Sequence, residues 1–253
     1  MDKRRLGDTG IMLSPYGLGT TKFGRNEGVK YPTPFDLPNE EDLAHLVGLG
    51  KELGVNVIDT APAYGLSEER LGRILYGQRK DWVIVGKVGE EFEDGESFHD
   101  FSVDHVERSL MRSLERLNTD YIDVLMLHSD GRDVEILNDD ALIDLMQDFK
   151  RRGLVRCVGA STKTAEGGIK ALECMDVVMA SYNPEYTDEL PVLDYAATHN
   201  KGVFLKKVLS SGHNVNTAEA FEFALGHDGV SCAVVGTINP EHLCSNVRAI
   251  PSS

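Results

Sequence analysis

Val55-Asn56-Val57-Ile58-Asp59-Thr60-Ala61-Pro62-Ala63-Tyr64-Gly65 is the stretch on which the reading of the fold turns. It opens as a short apolar run rich in β-branched residues, the pattern of a buried strand. A Pro-containing turn follows, and Ser67-Glu68-Glu69-Arg70 opens a helix. Asp59 therefore falls at the carboxyl end of a strand, with Tyr64 in the loop just beyond. In a barrel of parallel strands that end carries the chemistry. A plainer reading makes Asp59 a turn former and Tyr64 a core cap.

Working outward, the same unit repeats. Upstream, Arg4-Arg5-Leu6 and Ile11-Met12-Leu13 flank Gly7-Asp8-Thr9-Gly10, a hairpin expected to plug a barrel floor. Tyr16-Gly17-Leu18-Gly19-Thr20 is the first strand, and residues 21–38 lack periodicity and are expected to form a long loop. Asn39 caps an amphipathic helix to Leu53, with Leu43, Leu46, Val47 and Leu49 inward. Downstream, 82–87 is the third strand, followed by an acidic loop through Asp100. Ser102 opens a long helix with Val106, Leu110, Leu114 and Leu117 at helical spacing. Strands at 121–128, 155–160, 177–182, 202–206 and 231–235 complete a set of eight. Helices are expected near 67–76, 139–152, 165–175, 190–199, 217–227 and 239–249.

Eight buried strands alternating with helices, at about 25–30 residues per unit, predict a (β/α)8 TIM barrel. The 253 residues show no linker or composition shift, so 1–253 is expected to be a single domain. A doubly wound open sheet is the runner-up, but Gly17-Leu18-Gly19-Thr20-Thr21-Lys22 lacks the third glycine of its fingerprint.

Composition narrows the partners. The 26 basic and 41 acidic residues give a formal charge of −15, which disfavours nucleic acid or an anionic membrane. Cys157, Cys174, Cys232 and Cys244 are widely spaced without a metal-ligand pattern, and three are expected to be buried as small hydrophobes. No metal is expected. The amino terminus has basic residues but no apolar core, and no run approaches a membrane span. A soluble, cytoplasmic protein is expected; its oligomeric state is not legible.

Ionisable residues close consecutive apolar strands: Asp59 with Tyr64, then Lys87, then His128. Singly, Lys87 could snorkel from a strand end and His128 could be a core histidine. Together they form a coherent acid–base set. An ammonium beside a phenol favours the phenolate, so Lys87 is expected to lower the Tyr64 pKa from near 10. Asp59 can hold Lys87, and His128 can hydrogen-bond a carbonyl oxygen and aim it at Tyr64. Delivering one proton to a carbonyl still leaves a hydride to be supplied, which implies a reduced nicotinamide.

These residues carry a resemblance. Asp59-Thr60-Ala61-Pro62-Ala63-Tyr64-Gly65, Lys87 after Val-Gly, and Leu117-Asn118-Thr119-Asp120-Tyr121-Ile122-Asp123 up to His128 are similar to the aldo-keto reductase family. So is Gly236-Thr237-Ile238-Asn239-Pro240-Glu241-His242-Leu243 with Asn246. The resemblance implies Tyr64 as general acid, Lys87 and Asp59 as its tuners and His128 as substrate orienter. It also implies NADPH, or NADH, lying across the strand ends, with a small carbonyl compound as substrate. Gly19, Thr20 and Ser161 match cofactor contacts, and Thr162 stands where an asparagine is usual. Met179 replaces a common glutamine, and Lys206-Lys207 replace a common aromatic. Gly236, Thr237, Asn239, His242 and Asn246 match the adenosine end, where a helix amino terminus can also receive phosphate.

Several expectations about the pocket follow. Phe23, Tyr31 and Phe35 are candidate walls, and Lys206 with Lys207 is expected near cofactor phosphate or substrate. The segment 210–214 is short, and with the sequence ending at Ser253 a long carboxy-terminal loop is expected to be absent. The acidic run Glu90-Glu91-Phe92-Glu93-Asp94 is expected to be a solvated surface, with substrate gating the alternative. The leading functional expectation is an NAD(P)H-dependent oxidoreductase of aldehydes or ketones. The alternatives are a Schiff-base lyase using Lys87, disfavoured because Asp59 keeps that amine charged, and a non-catalytic nucleotide-binding barrel.

Overall fold

A computed structural model describes residues 1–29, 31, 33–210 and 216–251. A hairpin of β1 (Arg4–Arg5) and β2 (Met12–Leu13) leads into β3 (Tyr16–Gly19). In chain order there follow α1 (Thr21–Gly24), α2 (Glu40–Glu52), β4 (Val57–Asp59), α3 (Ser67–Ile74), β5 (Val83–Val88), β6 (Glu90–Glu93), β7 (Glu96–His99) and α4 (Val103–Arg116). The second half runs β8 (Ile122–His128), α5 (Asp133–Leu137), α6 (Asp140–Arg151), β9 (Val155–Ser161), α7 (Ala165–Cys174) and β10 (Val177–Ser181). It ends with α8 (Leu190–His199), β11 (Gly202–Lys206), α9 (Thr217–Leu225), β12 (Cys232–Gly236) and α10 (Pro240–Arg248). Strands β3, β4, β5, β8, β9, β10, β11 and β12 pair in parallel and close on themselves, which is the (β/α)8 barrel.

The two-residue period of a strand sorts the core into two layers. Val57, Val83, Val85, Val124, Met126, Cys157, Val177, Met179, Phe204 and Cys232 fill the interior. Leu6, Ile11 and Leu13 of the amino-terminal hairpin join that cluster, so the hairpin does plug the floor. The intervening residues, such as Ile58, Ile84, Leu125 and Val178, pack outward with the helices. The helices begin where capping chemistry places them: Asn39, Ser102 and Asn239 side chains each accept amide protons of the first turn.

The acidic stretch after the third barrel strand is not a loop but an antiparallel hairpin, with Glu90 opposite His99 and Glu93 opposite Glu96. Its turn residues Asp94 and Gly95 take positive φ, as a tight reversal requires. The expected loop 21–38 begins with the one-turn helix α1, and its Phe23 is fully buried in the outer core rather than lining a pocket. Sequence also missed α5, which Asp133 ties to the start of α7 by accepting from Lys163 N (2.9 Å) and Thr164 Oγ1 (2.7 Å). Cys157 and Cys232 are buried, whereas Cys174 and Cys244 are partly exposed. The segment 211–214 lies outside the described residues. Among the described residues no helix is long and apolar enough to cross a membrane.

Barrel closure leaves no room at Gly159, where a Cβ would lie 2.3 Å from the Val177 carbonyl oxygen on the neighbouring strand. Gly159→Ala should therefore lower the unfolding free energy by about 1–3 kcal/mol in urea titration. Gly48 in α2 has nothing within 4 Å of its Cβ direction. Gly48→Ala should raise stability by about 0.5–1 kcal/mol through helix propensity. Equal effects at the two sites would show that barrel packing does not govern them.

Candidate active site

Strand alternation that buries valines lower down brings one inward position from each strand to the carboxyl-end rim. Parallel register sets Gly19 beside Asp59, His128 beside Ser161, Ser181 beside Lys206, and Gly236 beside Gly19. Lys87 reaches the same layer from β5, two residues above Val85. Ser181 was not foreseen, although its place as the last inward residue of its strand marks it.

The corner after β4 is fixed by hydroxyls. Thr20 donates through Oγ1 to the Asp59 carbonyl at 2.8 Å, and Ser67 Oγ lies 2.7 Å from Thr20 and 3.0 Å from Thr60. Thr20 thus spends its hydroxyl on the backbone that positions Asp59. Pro62 opens a single 3-10 turn, Pro62–Tyr64, whose φ it presets, and Tyr64 N closes it on Ala61 O. Gly65 then takes φ 59°, with a Cβ direction only 2.3 Å from the Gly24 carbonyl oxygen, so only glycine fits there.

Asp59, Lys87 and Tyr64 form one connected group. Lys87 is 1 % exposed and donates to Asp59 Oδ1, to Thr60 O at 3.2 Å and to the Tyr64 hydroxyl at 3.1 Å. The Tyr64 hydroxyl in turn lies 3.4 Å from Asp59 Oδ2. Burial alone would lower the Lys87 pKa, but the Asp59 carboxylate outweighs it and holds the ammonium above its ordinary value. Tyr64 departs from expectation. Burial and the Asp59 charge push its pKa up to about 12, and Lys87 only offsets part of that rise. The phenol is therefore protonated at neutral pH, with the Lys87 ammonium against its oxygen.

His128 stands edge-on to Tyr64, with ring centroids 6.3 Å apart and planes at 86°. Its Nδ1 lies 2.8 Å from Glu90 Oε2 at ion-pair distance, off the line of a directed ring hydrogen bond. The acidic run is therefore not simply solvated. Glu90 turns inward onto His128, and Glu91 is buried against Arg112, His105 and Ser109.

On the opposite side, Lys206 donates to Ser161 Oγ at 3.0 Å and to Thr162 O at 2.6 Å. Burial lowers its pKa to about 8, Glu189 opposes the shift, and Lys207, Lys87 and Lys163 reinforce it. Lys207 itself is exposed, so the two lysines have separate environments. Thr162 Oγ1 is buried and has no hydrogen-bond partner among the described residues. Gly19 and Gly236 face each other with backbone bare: a Cβ on Gly236 would meet Gly19 O at 3.3 Å and the Tyr31 hydroxyl at 3.4 Å. Tyr31 packs edge-on against Phe35, and the Lys22 ammonium sits 4.0 Å from its ring centre. Beyond β12, Thr237 Oγ1 accepts from Asn239 N, Asn239 caps α10, His242 is exposed, and Asn246 is buried beside the Tyr16 hydroxyl.

The lowered Lys206 pKa fixes a pH dependence. A lysine that binds its proton less tightly when folded costs stability while charged, and the cost disappears as pH rises from about 8 towards 10.5. Over that window the wild-type protein should gain thermal stability relative to Lys206→Met. Parallel melting curves from pH 7 to 10.5 would refute this.

Comparison with known proteins identifies the family. The model of the Aldo/keto reductase family matches residues 15–218. A Pseudomonas aeruginosa structure assigned as an aldo-keto reductase superposes with TM-score 0.90 at 50 % identity, covering 98 % of this chain and 93 % of that one. An aldo-keto reductase from Bacillus halodurans, at 24 % identity and TM-score 0.81 over 100 % and 92 % of the two chains, shares the fold. L-galactose dehydrogenase of Arabidopsis thaliana is 29 % identical over 228 residues, 84 % of this chain and 66 % of that enzyme. Two further curated relatives are spanned to 49 % and 58 % of their length. With the family model matched over most of its length, the chain belongs to the aldo/keto reductase family.

Proposed function

We propose that the protein is an NAD(P)H-dependent oxidoreductase that reduces an aldehyde or ketone to the alcohol, reversibly. The observation that carries the reading is the buried Asp59–Lys87 pair with its ammonium on the Tyr64 hydroxyl. Residues at the rim fit a nicotinamide. The unpartnered Thr162 hydroxyl and the Ser161 hydroxyl offer polar contacts, and the facing Gly19 and Gly236 leave backbone open to close approach. Thr237, Asn239, His242 and Asn246, with the start of α10, suit the adenosine end. A bound reduced nicotinamide supplies the hydride to the carbonyl carbon.

The side chains supply the proton and the geometry. Tyr64 donates its phenolic proton to the carbonyl oxygen as charge develops there. The Lys87 ammonium, 3.1 Å away, stabilises the phenolate left behind, and Asp59 prevents that ammonium from shedding its own proton. When its Nε2 carries a proton, His128 hydrogen-bonds the carbonyl oxygen and holds it towards Tyr64. The same charge on Lys87 disfavours imine formation, since an ammonium is no nucleophile. NADPH is the expected cofactor, with NADH as the alternative and a small carbonyl compound as substrate. We place the chain, 1–253, in a single cytoplasmic domain.

Fluorescence titration should give saturable binding of NADPH, and of NADH more weakly; no binding of either would remove the reading. Tyr64→Phe should lose about 10²–10⁴-fold in kcat with carbonyl substrates while cofactor affinity stays within a few-fold. Near-full activity in that variant would take the acid role away from Tyr64.

A further inference from the structure

The mechanism needs a hydrogen on His128 Nε2, and the structure constrains when one is there. Glu90 is the first residue of the hairpin strand that follows β5, and its Oε2 lies 2.8 Å from His128 Nδ1. That nitrogen is buried and makes no directed hydrogen bond among the described residues, so the Glu90 carboxylate is the charged group it meets. Glu90 is itself steadied: Arg25 Nη1 approaches its other oxygen at 3.9 Å while donating to Ala63 O at 3.0 Å, beside Tyr64. A carboxylate against Nδ1 demands a proton there, because a bare nitrogen lone pair would face a negative oxygen. A neutral imidazole with its proton on Nδ1 presents a lone pair at Nε2 and can only accept.

From this contact we propose that Glu90 is a positioning residue that fixes the His128 ring in its Nδ1–H tautomer. His128 then donates to a carbonyl oxygen only as imidazolium and accepts from an alcohol hydroxyl only as neutral imidazole. Carbonyl reduction and alcohol oxidation thereby use different protonation states of one ring. The inference rests on the reductase reading for its consequence, but the tautomer is a property of the folded chain alone.

The groups around the ring set its charge. Glu90 favours the imidazolium, and Lys87 from β5 and Lys206 from β11 oppose it. Tyr64 stands perpendicular to the ring and stays neutral, and Arg25 acts on Glu90 rather than on His128. Burial leads these influences and, with the two lysines, leaves the His128 pKa below its ordinary value despite Glu90. The Glu90 carboxyl is raised by burial, but the His128 ring, with the Ser97 hydroxyl and His99 opposite it in the hairpin, more than reverses this and holds it at about 2. The carboxylate therefore persists across the whole range in which the ring titrates. In neutral solution the ring is uncharged with Nε2 bare; on acidification it gains the Nε2 proton.

Two measurements test this. In histidine side-chain ¹⁵N NMR, with His128→Gln to identify the signals, wild-type His128 at neutral pH should show a protonated Nδ1 and a bare Nε2. Glu90→Leu, which leaves no acceptor at Nδ1, should release the ring from the Nδ1–H form towards the Nε2–H form and move its titration midpoint to lower pH. A wild-type ring already in the Nε2–H form overturns the proposal, whatever the variant does, as does an unchanged tautomer in the variant. In kinetics, wild-type kcat/KM for carbonyl reduction should fall by about tenfold per pH unit above the His128 midpoint, and Glu90→Leu should lose that limb. The same limb in both proteins also overturns it. An Nδ1–H ring in a protein that reduces no carbonyl would instead place the failure in the reductase reading.

Discussion

The ion pair between Lys87 and Asp59 is the contact on which the upper layer of the barrel depends. Neither group could be ionised alone at this depth, because a buried unpaired charge costs several kcal/mol. Each is instead solvated by the other, and the remaining donors of Lys87 go to the Thr60 carbonyl and the Tyr64 hydroxyl. The geometry is held from outside the pair. Thr20 and Ser67 pin the backbone at Asp59, and Gly24 and Gly65 approach closely enough to seat the Tyr64 turn. A site with this many fixed polar atoms needs little rearrangement when charge develops, which is the condition for electrostatic preorganisation.

Charge is distributed unevenly around the rim. Lys87, Lys206 and His128 gather on the inward positions of a chain whose net charge is −15. Glu90 and Glu189 face them from the surrounding segments, and each partner shifts the other's proton affinity. Lys206 and Lys87 therefore differ although both are buried amines at strand ends. Lys87 has a carboxylate in direct contact and stays charged; Lys206 has only hydroxyl and carbonyl acceptors and binds its proton weakly.

Much of this was legible in the chain because two-residue alternation is simple arithmetic. Asp59, Lys87 and His128 each end a strand in phase with the valines beneath, so a sequence that buries Val57, Val85 and Met126 must present them inward at the top. What escaped depends on distances between elements. Glu90 and Glu91 sit in an acidic run whose local pattern is that of a solvated surface, and only the fold of the hairpin brings them onto His128 and Arg112. The direction of the Tyr64 shift was missed for a related reason: the sign depends on how much water surrounds the phenol, whereas sequence shows only that an ammonium is near. Phe23 has the composition of a pocket wall and the burial of a core residue, because the unforeseen turn of α1 rotates it under the loop.

The hairpin beneath the barrel has a consequence for traffic. Leu6, Ile11 and Leu13 fill the floor, and the layer of valines, Met126, Met179 and Phe204 above them closes the interior with apolar side chains. Water, protons and any reactant can therefore meet the polar rim only from the side on which the loops lie.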